Sequence, residues 1–524
     1  MSYDVIIAHG TVMPGDAPGY RSDVGIVNGR ITALAPHLPQ EDTAQVIDAT
    51  HHWVCPGFID LHAHSALEPF QHPALMPKIA QGFTTEVIHP DGLAPAPVRS
   101  TERDERQAYL DGLEGHGPDN WSWSSLQEFL TVLHATQPAT TLVPSVGHNA
   151  IRDLVMGSGN RPATPDEIKT MQRELQIAAE LGARMFSLGL IYLPGVYADT
   201  AELISLAQEA QRVQLPLMPH IRNEATLVVD ALQEVIGVCR TTDASLHVSH
   251  LKVVGASPHA DSVLEVIERG SQDIDLTFDQ YPYGAGSTLL TAVLPPWALE
   301  GGPAAITGRL ATRATREKIK TDILKGLPGW ENLYRTCGPD NITIADVNSN
   351  AKGLVGLSLA EIASARSQSP LDLALDLLEE AQLNVTMIDH YATEDTVRQI
   401  FRHRLALVGT DGIFGFHPHP RLYGTAARVL GRYAIHEHLI SPDDAVFRLT
   451  AGAADRLRLA DRGRIRQGLR ADLVVLNPDT YIDTATYAQP HQYPTGVSHV
   501  LVAGQVVWTN GHATGARPGG VLNF

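Results

Sequence analysis

Polar residues, most of them able to ligate a metal ion, stand where short apolar stretches of this 524-residue chain end. Each stretch has the length and composition of a buried strand. In chain order these residues are His62 and His64 in PGFIDLHAHS, His89 and Asp91 in EVIHPDG, His220 in LPLMPH, His250 in SLHVSH, Asp279 and Tyr281 in LTFDQYPY, and Asp411 in LALVGTDG. Imidazole and carboxylate groups suit zinc or a similar divalent ion. The pattern therefore predicts a metal site, provided that the strands end at one place.

The pair His62 and His64 shows how strongly a single HxH motif supports a metal site. Side chains two residues apart on a strand share a face, so both imidazoles can point the same way. A single His at a strand end is nevertheless more often a hydrogen-bonded residue than a ligand, and one HxH match is weak evidence. Several histidines and aspartates on successive strand ends are much harder to attribute to chance.

Strand and helix patterns alternate through the middle of the chain. In TPDEIKTMQRELQIAAELGA, Thr164, Pro165 and Glu167 predict a capped helix start, and Gly182 predicts its end. Such alternation predicts a parallel sheet, either doubly wound or closed into a (β/α)8 barrel. Ligand-type residues on many strand ends favour the barrel, because a doubly wound sheet gathers them only at a switch point.

Nine segments qualify as strands for the eight positions of such a barrel. The weakest of them is 384–390, so one segment is surplus. The nine are 52–62, 83–89, 141–147, 183–189, 216–220, 245–250, 274–280, 384–390 and 405–411.

Both ends of the chain have a different pattern, with short apolar pieces separated by turns such as Asn28-Gly29. We therefore predict one small β-sandwich domain built from residues 1–54 and 463–524. The barrel is expected to span 55–462. The regular pattern breaks down after Tyr283, and an insertion at about 284–350 is expected near the active site, where it could act as a lid.

Composition excludes several classes of function. The formal net charge of -19 argues against a nucleic-acid partner, which needs a basic surface. No apolar run is long enough to span a membrane, and no signal peptide is visible. Three scattered cysteines favour a reducing, cytoplasmic location. Neither a phosphate-binding glycine loop nor a G-x-S-x-G motif is present.

With these motifs in place, the sequence resembles the amidohydrolase superfamily and, within it, the D-aminoacylase (N-acyl-D-amino-acid deacylase) family. The resemblance is spread over nearly the whole chain. It rests on PGFIDLHAHS, QGFTTEV, RPATPDEIKTM, SLGLIYLPGVYA, HIRNE, SHLK, DQYPYGAGST, GTDG, HPRLYGTAARVLG, DRGRIRQGLRADLVVLNP and GVSHVLVAGQVV. It implies a zinc-bearing α/β protein with a metal-dependent (β/α)8 TIM barrel, a small β domain from both termini and an insertion near the active site.

The resemblance also implies a ligand set, with one departure. The family typically has GNCG where this chain has HPDG, and the family's cysteine ligates zinc, so Asp91 takes that position here. We expect Asp91 to bridge two metals, with His220 and His250 in the tighter site and His62, His64 and Asp411 in the second. The alternative for Asp91 is a turn residue before Gly92. No lysine in ARMFSLGL offers the carbamylated bridge of many superfamily members.

Asp411 is the expected general base and acid, since a carboxylate beside a metal-activated water can take its proton and return it to the leaving nitrogen. For the substrate's carboxylate, the resemblance implies Lys252 and Tyr283, with Tyr192 and Ser287 lining the same pocket. Arg222 could also aid an anionic substrate, or pair with Glu224 on the surface.

Three functions stay open at this stage. The leading one is metal-dependent hydrolysis of N-acyl-D-amino acids with one or two Zn²⁺ ions. A second is hydrolysis of a cyclic amide or ureide, as in hydantoinases and dihydroorotases. A third is a metal-binding scaffold without activity. The expected partner is a small-molecule substrate, and the sequence is compatible with a homo-oligomer without deciding it.

Overall fold

A computed structural model describes residues 2–41, 43–255, 260–347 and 352–523 of the chain. Eight parallel strand positions close into a barrel, and three of them are split by a short irregularity. The barrel strands are Phe58–Asp60 with Ala63–His64, Phe83–Ile88, Thr141–Pro144 with Val146–Gly147, Phe186–Gly189, Leu217–His220, Leu246–Val248, Leu276–Gln280, and Ala406–Val408 with Gly412–Ile413. Closure comes from the last and first positions, where Gly412 and Ile413 pair with Ala63 and His64. The predicted (β/α)8 barrel is confirmed.

Helices follow the strands in the order that the sequence pattern predicts. Thr164 caps the helix Pro165–Glu180 in a capping box with Glu167, and Gly182 follows its end with a positive φ of 91°. The helices around the barrel are Met76–Ile79, Arg103–Leu110, Leu126–Ala135, His148–Met156, Pro165–Glu180, Thr200–Arg212, Val228–Thr242, Ala260–Gly270, Glu394–Phe401, Arg421–Ala427, Pro442–Leu449 and Ala451–Arg456, with a π-helix at Arg428–His436. Among the described residues, no helix has both the length and the apolar composition to cross a membrane.

The two ends of the chain form the small β domain together. Its larger sheet places Leu473–Leu476 beside Trp53–Pro56, so a strand from each end meets in antiparallel register. In sheet order, the larger sheet is His512–Ala513, Gln505–Thr509, Val497–Val502, Leu473–Leu476, Trp53–Pro56, Thr11–Val12 and Tyr20–Arg21, and the smaller is Arg30–Ala35, Asp23–Val27, Val5–Ala8 and Gln45–Asp48. The predicted Asn28-Gly29 turn joins two strands of the smaller sheet, with positive φ at both residues. The strand Gly520–Val521 leaves this domain and pairs with the barrel strand at Thr141 and Leu142.

The segment after Tyr283 forms its own layer over the barrel. The surplus strand candidate, 384–390, lies here. Val385–His390 is the central strand of an antiparallel sheet with Ala285–Leu289 and Ile342–Val347. The helices of the layer are Pro296–Leu299, Gly302–Ala311, Arg313–Lys325, Leu333–Cys337, Leu359–Arg366 and Pro370–Glu380, and they share one apolar core. The layer therefore runs further than the expected 284–350, because its central strand comes last in the chain. Of that expected range, 348–350 lie outside the described residues.

A buried lysine ties the first and last barrel strands together below the site. Lys78 is fully buried, and its Nζ donates to Asp60 Oδ2 at 2.6 Å and to Thr410 Oγ1 at 2.7 Å. Thr410 precedes Asp411, so this contact fixes the turn on which Asp411 stands.

We expect Lys78→Met to destabilise the protein by about 3–5 kcal/mol, because Asp60 would remain buried without its cation. The urea midpoint of unfolding reports the change. The surface variant Lys169→Met, which breaks only the exposed pair with Asp166, is the control and should leave the midpoint nearly unchanged. Equal midpoints for both variants would contradict the role of Lys78.

Candidate metal centre and substrate cavity

The structure brings six of the sequence-predicted residues to one end of the barrel. His62, His64, Asp91 and Asp411 each offer a ligand atom within 4.8 Å of the others, and Asp91, His220 and His250 form a second group of the same kind. All six are buried. They come from five strand ends, because the carboxyl ends of parallel barrel strands converge on one face.

Asp91 stands between the two groups and faces each with a different oxygen. Its Oδ2 lies 3.5 Å from the Nε2 atoms of both His62 and His64. Its Oδ1 lies 3.3 Å from His250 Nε2 and 3.8 Å from His220 Nδ1. Asp411 completes the first group, with Oδ1 at 3.1 Å from His64 Nε2. This is the geometry of a carboxylate that can bridge two ions.

The unpaired atoms at this site fit a metal. Nε2 of His62 and Oδ1 of Asp91, which both face the cluster, are buried without a hydrogen-bond partner among the described residues. Buried polar atoms are normally paired, so two such atoms at one place need an explanation. Ligand atoms at zinc bonding distance in a tetrahedral site lie roughly 3.3 Å apart. The observed separations of 3.1 to 3.8 Å are close to that value.

Three of these residues adopt a left-handed backbone conformation. The φ angles are 53° at Asp91, 33° at His250 and 50° at Asp411. Non-glycine residues seldom adopt such angles, and strain of this kind is concentrated at functional sites. Each residue stands just after a strand. There the unusual φ turns the side chain away from the direction that the in-and-out alternation of the strand would give it.

Electrostatics keep the two aspartates ionised. Burial alone would raise the pKa of Asp91, but the His62 and His250 imidazoles hold it well below its usual range. Burial likewise opposes ionisation of Asp411, yet the Arg421 guanidinium, whose Nη1 lies 2.9 Å from Oδ2, holds the pKa of that carboxyl below its usual range. Both side chains are therefore in the form that a metal ligand requires.

The two histidines of the second group differ. Burial lowers the pKa of His220 to about 4, so its imidazole is neutral. Burial and the Lys252 ammonium act in the same direction on His250, but the Glu224 and Asp91 carboxylates outweigh them and raise its pKa to about 10. The two rings are 2.9 Å apart between His220 Nδ1 and His250 Nε2, so a protonated His250 can donate to His220. Metal binding at this group would release that proton.

Neighbouring carboxylates orient two of the ligand histidines. Glu114 Oε1 accepts a hydrogen bond from His64 Nδ1 at 2.6 Å, which leaves Nε2 to face the site. Asp279 pairs with His247 at 3.0 Å and lies 3.9 Å from His62 Nδ1. Asp279 thus stands behind the ligands rather than among them. Outer carboxylates of this kind fix the tautomer and orientation of a ligand.

We expect Glu114→Gln to weaken zinc affinity by about 10- to 100-fold, since the amide oxygen can still accept from His64 Nδ1 but carries no charge to raise the basicity of that ligand. Competition with a chromophoric chelator measures the affinity. Glu128→Gln, on the exposed start of a helix, is the control. Unchanged affinity in Glu114→Gln would show that His64 needs no such support.

A small cavity of about 40 Å³ opens above the metal-ligating groups. Three of the predicted substrate residues, Lys252, Tyr192 and Ser287, line it. Lys252 is already paired there, since its Nζ donates to both oxygens of Glu224 at 2.8 and 2.9 Å. Leu93, Ile191 and Tyr192 also line a larger cavity of about 350 Å³ that adjoins it.

Tyr283 does not line this cavity. Its ring lies against the Arg428 guanidinium, 4.9 Å away, and faces a separate cavity with His390 and Tyr487. Tyr281 lines the substrate cavity instead. The barrel strand ends at Gln280, and beyond it the chain turns at Pro282, so strand alternation no longer decides where residue 283 points.

One histidine and one arginine considered from the sequence lie outside the proposed metal-binding cluster. His89 bonds through Nδ1 to the Ser145 carbonyl at 2.9 Å and is outside both ligand groups. Arg222 pairs with Glu234 at 3.0 Å, not with Glu224. The expected surface pair is therefore wrong, because Glu224 is buried against Lys252.

Three further residues of the cavity were not singled out from the sequence: Arg421, Glu331 and Asp389. Arg421 is fully buried on the helix after Asp411, and its Nε has no partner in the described parts of the chain. Burial and the Glu224 carboxylate raise the pKa of Glu331 to about 8, and burial raises that of Asp389 to about 7. The only signal for Arg421 was its place in HPRLYG, and no local pattern marked the other two.

Comparison with known proteins agrees with this geometry. The Amidohydrolase family matches residues 346–508. An N-acyl-D-aspartate deacylase of Alcaligenes xylosoxydans xylosoxydans is 32% identical over 99% of this chain and 95% of its own length. The structure of N-acyl-D-glutamate deacylase from Bordetella bronchiseptica, complexed with zinc and a phosphonate mimic of the tetrahedral intermediate, is 32% identical, with a TM-score of 0.85 and 100% of both chains covered. A D-aminoacylase structure concerned with the role of its binuclear metal centre is 30% identical, with a TM-score of 0.84 and the same full (100%) coverage. The chain therefore belongs to the amidohydrolase superfamily and, within it, to the D-aminoacylase (N-acyl-D-amino-acid deacylase) family.

Proposed function

We propose that this protein hydrolyses the amide bond of N-acyl-D-amino acids to a carboxylate and a free D-amino acid, with zinc as its cofactor. The observation that carries the proposal is the position of Asp91, which presents one oxygen to each of two histidine pairs. Family membership supports it, since the relatives named above are deacylases of N-acyl-D-amino acids.

The six ligand residues would hold one or two zinc ions, with Asp91 as the shared ligand. Zinc bound there supplies an activated water and polarises the scissile carbonyl. Asp91, His220 and His250 form the tighter set in this proposal, and His62, His64 and Asp411 form the other.

Asp411 is the proposed general base and acid. It lines the cavity with one oxygen against His64 while the other is held by Arg421. In this position its carboxylate can accept a proton from the attacking water and then return it to the leaving nitrogen. Arg421 keeps the carboxylate ionised and fixes its orientation.

Two cations in the cavity can bind the substrate's carboxylate. Arg421 has a buried Nε without a partner among the described residues, and Lys252 lines the same cavity. Tyr192 and Ser287 line the remaining wall, and the Tyr192 hydroxyl bonds to Thr288 at 3.0 Å. Tyr283 stands outside this proposed set. The second cavity beyond Tyr192 adjoins the same wall and offers room for the acyl group.

The test is amine release from N-acetyl-D-amino acids, N-acetyl-L-amino acids and hydantoins, each with and without chelator. Chelator-sensitive release from D-substrates alone is the expected result. Turnover of cyclic amides only would instead support the hydantoinase-like alternative, and no metal-dependent turnover at all would support an inactive scaffold. A cytoplasmic location and the oligomeric state remain predictions and are tested separately by fractionation and light scattering.

A further inference from the structure

Within the proposed function, we infer that the preferred D-amino acid carries a hydrogen-bond donor or a cationic group on its side chain, and that Glu331 and Asp389 recognise it. This inference rests on the proposed function and goes beyond it, because the relatives compared above include deacylases named for D-aspartate and D-glutamate.

The cations of the cavity already have partners. Lys252 Nζ contacts both oxygens of Glu224, and Arg421 Nη1 contacts Asp411. Few N–H groups of Lys252 and Arg421 therefore remain to bind a ligand. The carboxylate on the α-carbon of the substrate is enough to occupy them.

Glu331 and Asp389 have no such partner. Within the described ranges neither forms an ion pair, although both are buried, with exposures of 6% and 5%. Glu331 Oε2 accepts from the Glu224 backbone N–H at 3.2 Å, while its Oε1 has no hydrogen-bond partner in the part of the chain that the structure describes. A buried carboxyl oxygen left unpaired is costly unless a ligand completes it.

Both carboxyl groups line the cavity above the metal-binding cluster. They line it together with Lys252 and Arg421, which are the proposed partners of the α-carboxylate. Burial raises the pKa of both groups, to about 8 for Glu331 and about 7 for Asp389, and the Lys252 ammonium opposes that rise. With the scissile amide at Asp411 and the α-carboxylate at the two cations, the side chain is the substituent that remains for Glu331 and Asp389.

This wall disfavours negative charge, since burial raises the pKa of both Glu331 and Asp389. An acidic side chain would bring a further carboxylate into the same desolvated place, which is unfavourable, whereas a donor that pairs with the free carboxyl oxygen is favourable. The layer over the barrel supplies both residues, Glu331 from the segment before Leu333–Cys337 and Asp389 from its central strand. This layer therefore determines which side chain is accepted.

The alternative occupant of this wall is a metal ion, since His220, Glu224 and Glu331 also have ligand atoms within 4.8 Å of one another. The Lys252 ammonium argues against it, because it lies 2.8 Å from a Glu224 oxygen and would repel a cation. Zinc content of the variants below distinguishes the two readings.

The test compares kcat/KM for N-acetyl-D-glutamine and N-acetyl-D-glutamate, which have the same shape and differ in charge and donor. N-acetyl-D-lysine and N-acetyl-D-norleucine form a second pair. We expect the zinc enzyme to prefer glutamine over glutamate by at least about 100-fold, and lysine over norleucine. Glu331→Gln and Asp389→Asn should each reduce the glutamine preference by at least about tenfold, whereas Glu317→Gln, on the exposed face of a helix in the same layer, should not change it.

A wild-type preference for glutamate or norleucine would overturn the inference while leaving the deacylase activity in place. So would an unchanged glutamine preference in both variants, or a loss of bound zinc from Glu331→Gln without a change in preference. Absence of turnover for every member of the panel would contradict the proposed function itself, and this inference with it.

Discussion

Replacing Asp411 by Asn is expected to lower kcat by about 1,000-fold, within the range that a general base and acid contributes. The amide keeps the shape and the contact with His64 but cannot accept a proton. Asp411 is held ready for this step, because Arg421 orients its Oδ2 at 2.9 Å and lowers its pKa. Steady-state amine release from the best N-acetyl-D-amino acid measures the effect.

Two controls separate the chemical role of Asp411 from a structural one. Zinc content, measured on the same sample, shows whether the variant still holds its metal. Asp395→Asn removes an exposed carboxylate from the first turn of the helix Glu394–Phe401 and should leave kcat unchanged. A kcat within tenfold of the wild-type value in zinc-loaded Asp411→Asn would contradict the assignment of Asp411 as the proton carrier.

The second large effect is expected for Asp91→Asn, which should reduce zinc affinity by more than the roughly 100-fold that an outer-shell change can cost. Asp91 belongs to both groups of possible ligands, so both should weaken together. An amide oxygen can still face one histidine pair, but it supplies no charge. Isothermal titration of the metal-free protein with zinc gives the affinity and the number of ions bound.

His89→Asn is the matched control for Asp91. His89 is two residues away and has the same left-handed backbone, with φ of 64°, which Asn tolerates well. Within the described residues its side chain hydrogen-bonds to the Ser145 carbonyl, which an Asn amide can also reach. Zinc binding should therefore survive in His89→Asn. Equal loss of zinc from both variants would place the role of this segment in its backbone rather than in the Asp91 carboxylate.

The clustering of the six proposed ligand residues was accessible from the sequence because a physical rule connects strand ends to one another. The carboxyl ends of parallel barrel strands meet on one face, so polar residues at successive strand ends must converge there. His62 and His64 follow the same logic, since their spacing matches the strand period. The (β/α)8 barrel with its terminal β domain was accessible for a similar reason, as strand–helix alternation and turn signals are local properties of the chain.

The two residues that we propose for substrate specificity, Glu331 and Asp389, were much harder to predict. Glu331 reaches the cavity from a segment between two helices, and no periodicity relates that segment to a barrel strand. Asp389 lies on a strand that pairs outside the barrel, so its position depends on how the layer docks. Tyr283 is the opposite case, a residue that was expected in the cavity and lies outside it. The motif that suggested it does not specify the chain direction after the turn at Pro282. Long-range packing, which local patterns do not encode, decides all three.

Anomalous diffraction at the zinc absorption edge, from crystals of the zinc-loaded protein, tests the metal centre most directly. We expect a zinc peak at bonding distance, about 2.0–2.2 Å, from Asp91, His220 and His250. If a second ion binds, its peak should lie beside the other Asp91 oxygen, with His62, His64 and Asp411 around it. A strong peak elsewhere, or none next to Asp91, would contradict the central claim that Asp91 is the shared ligand of a metal centre.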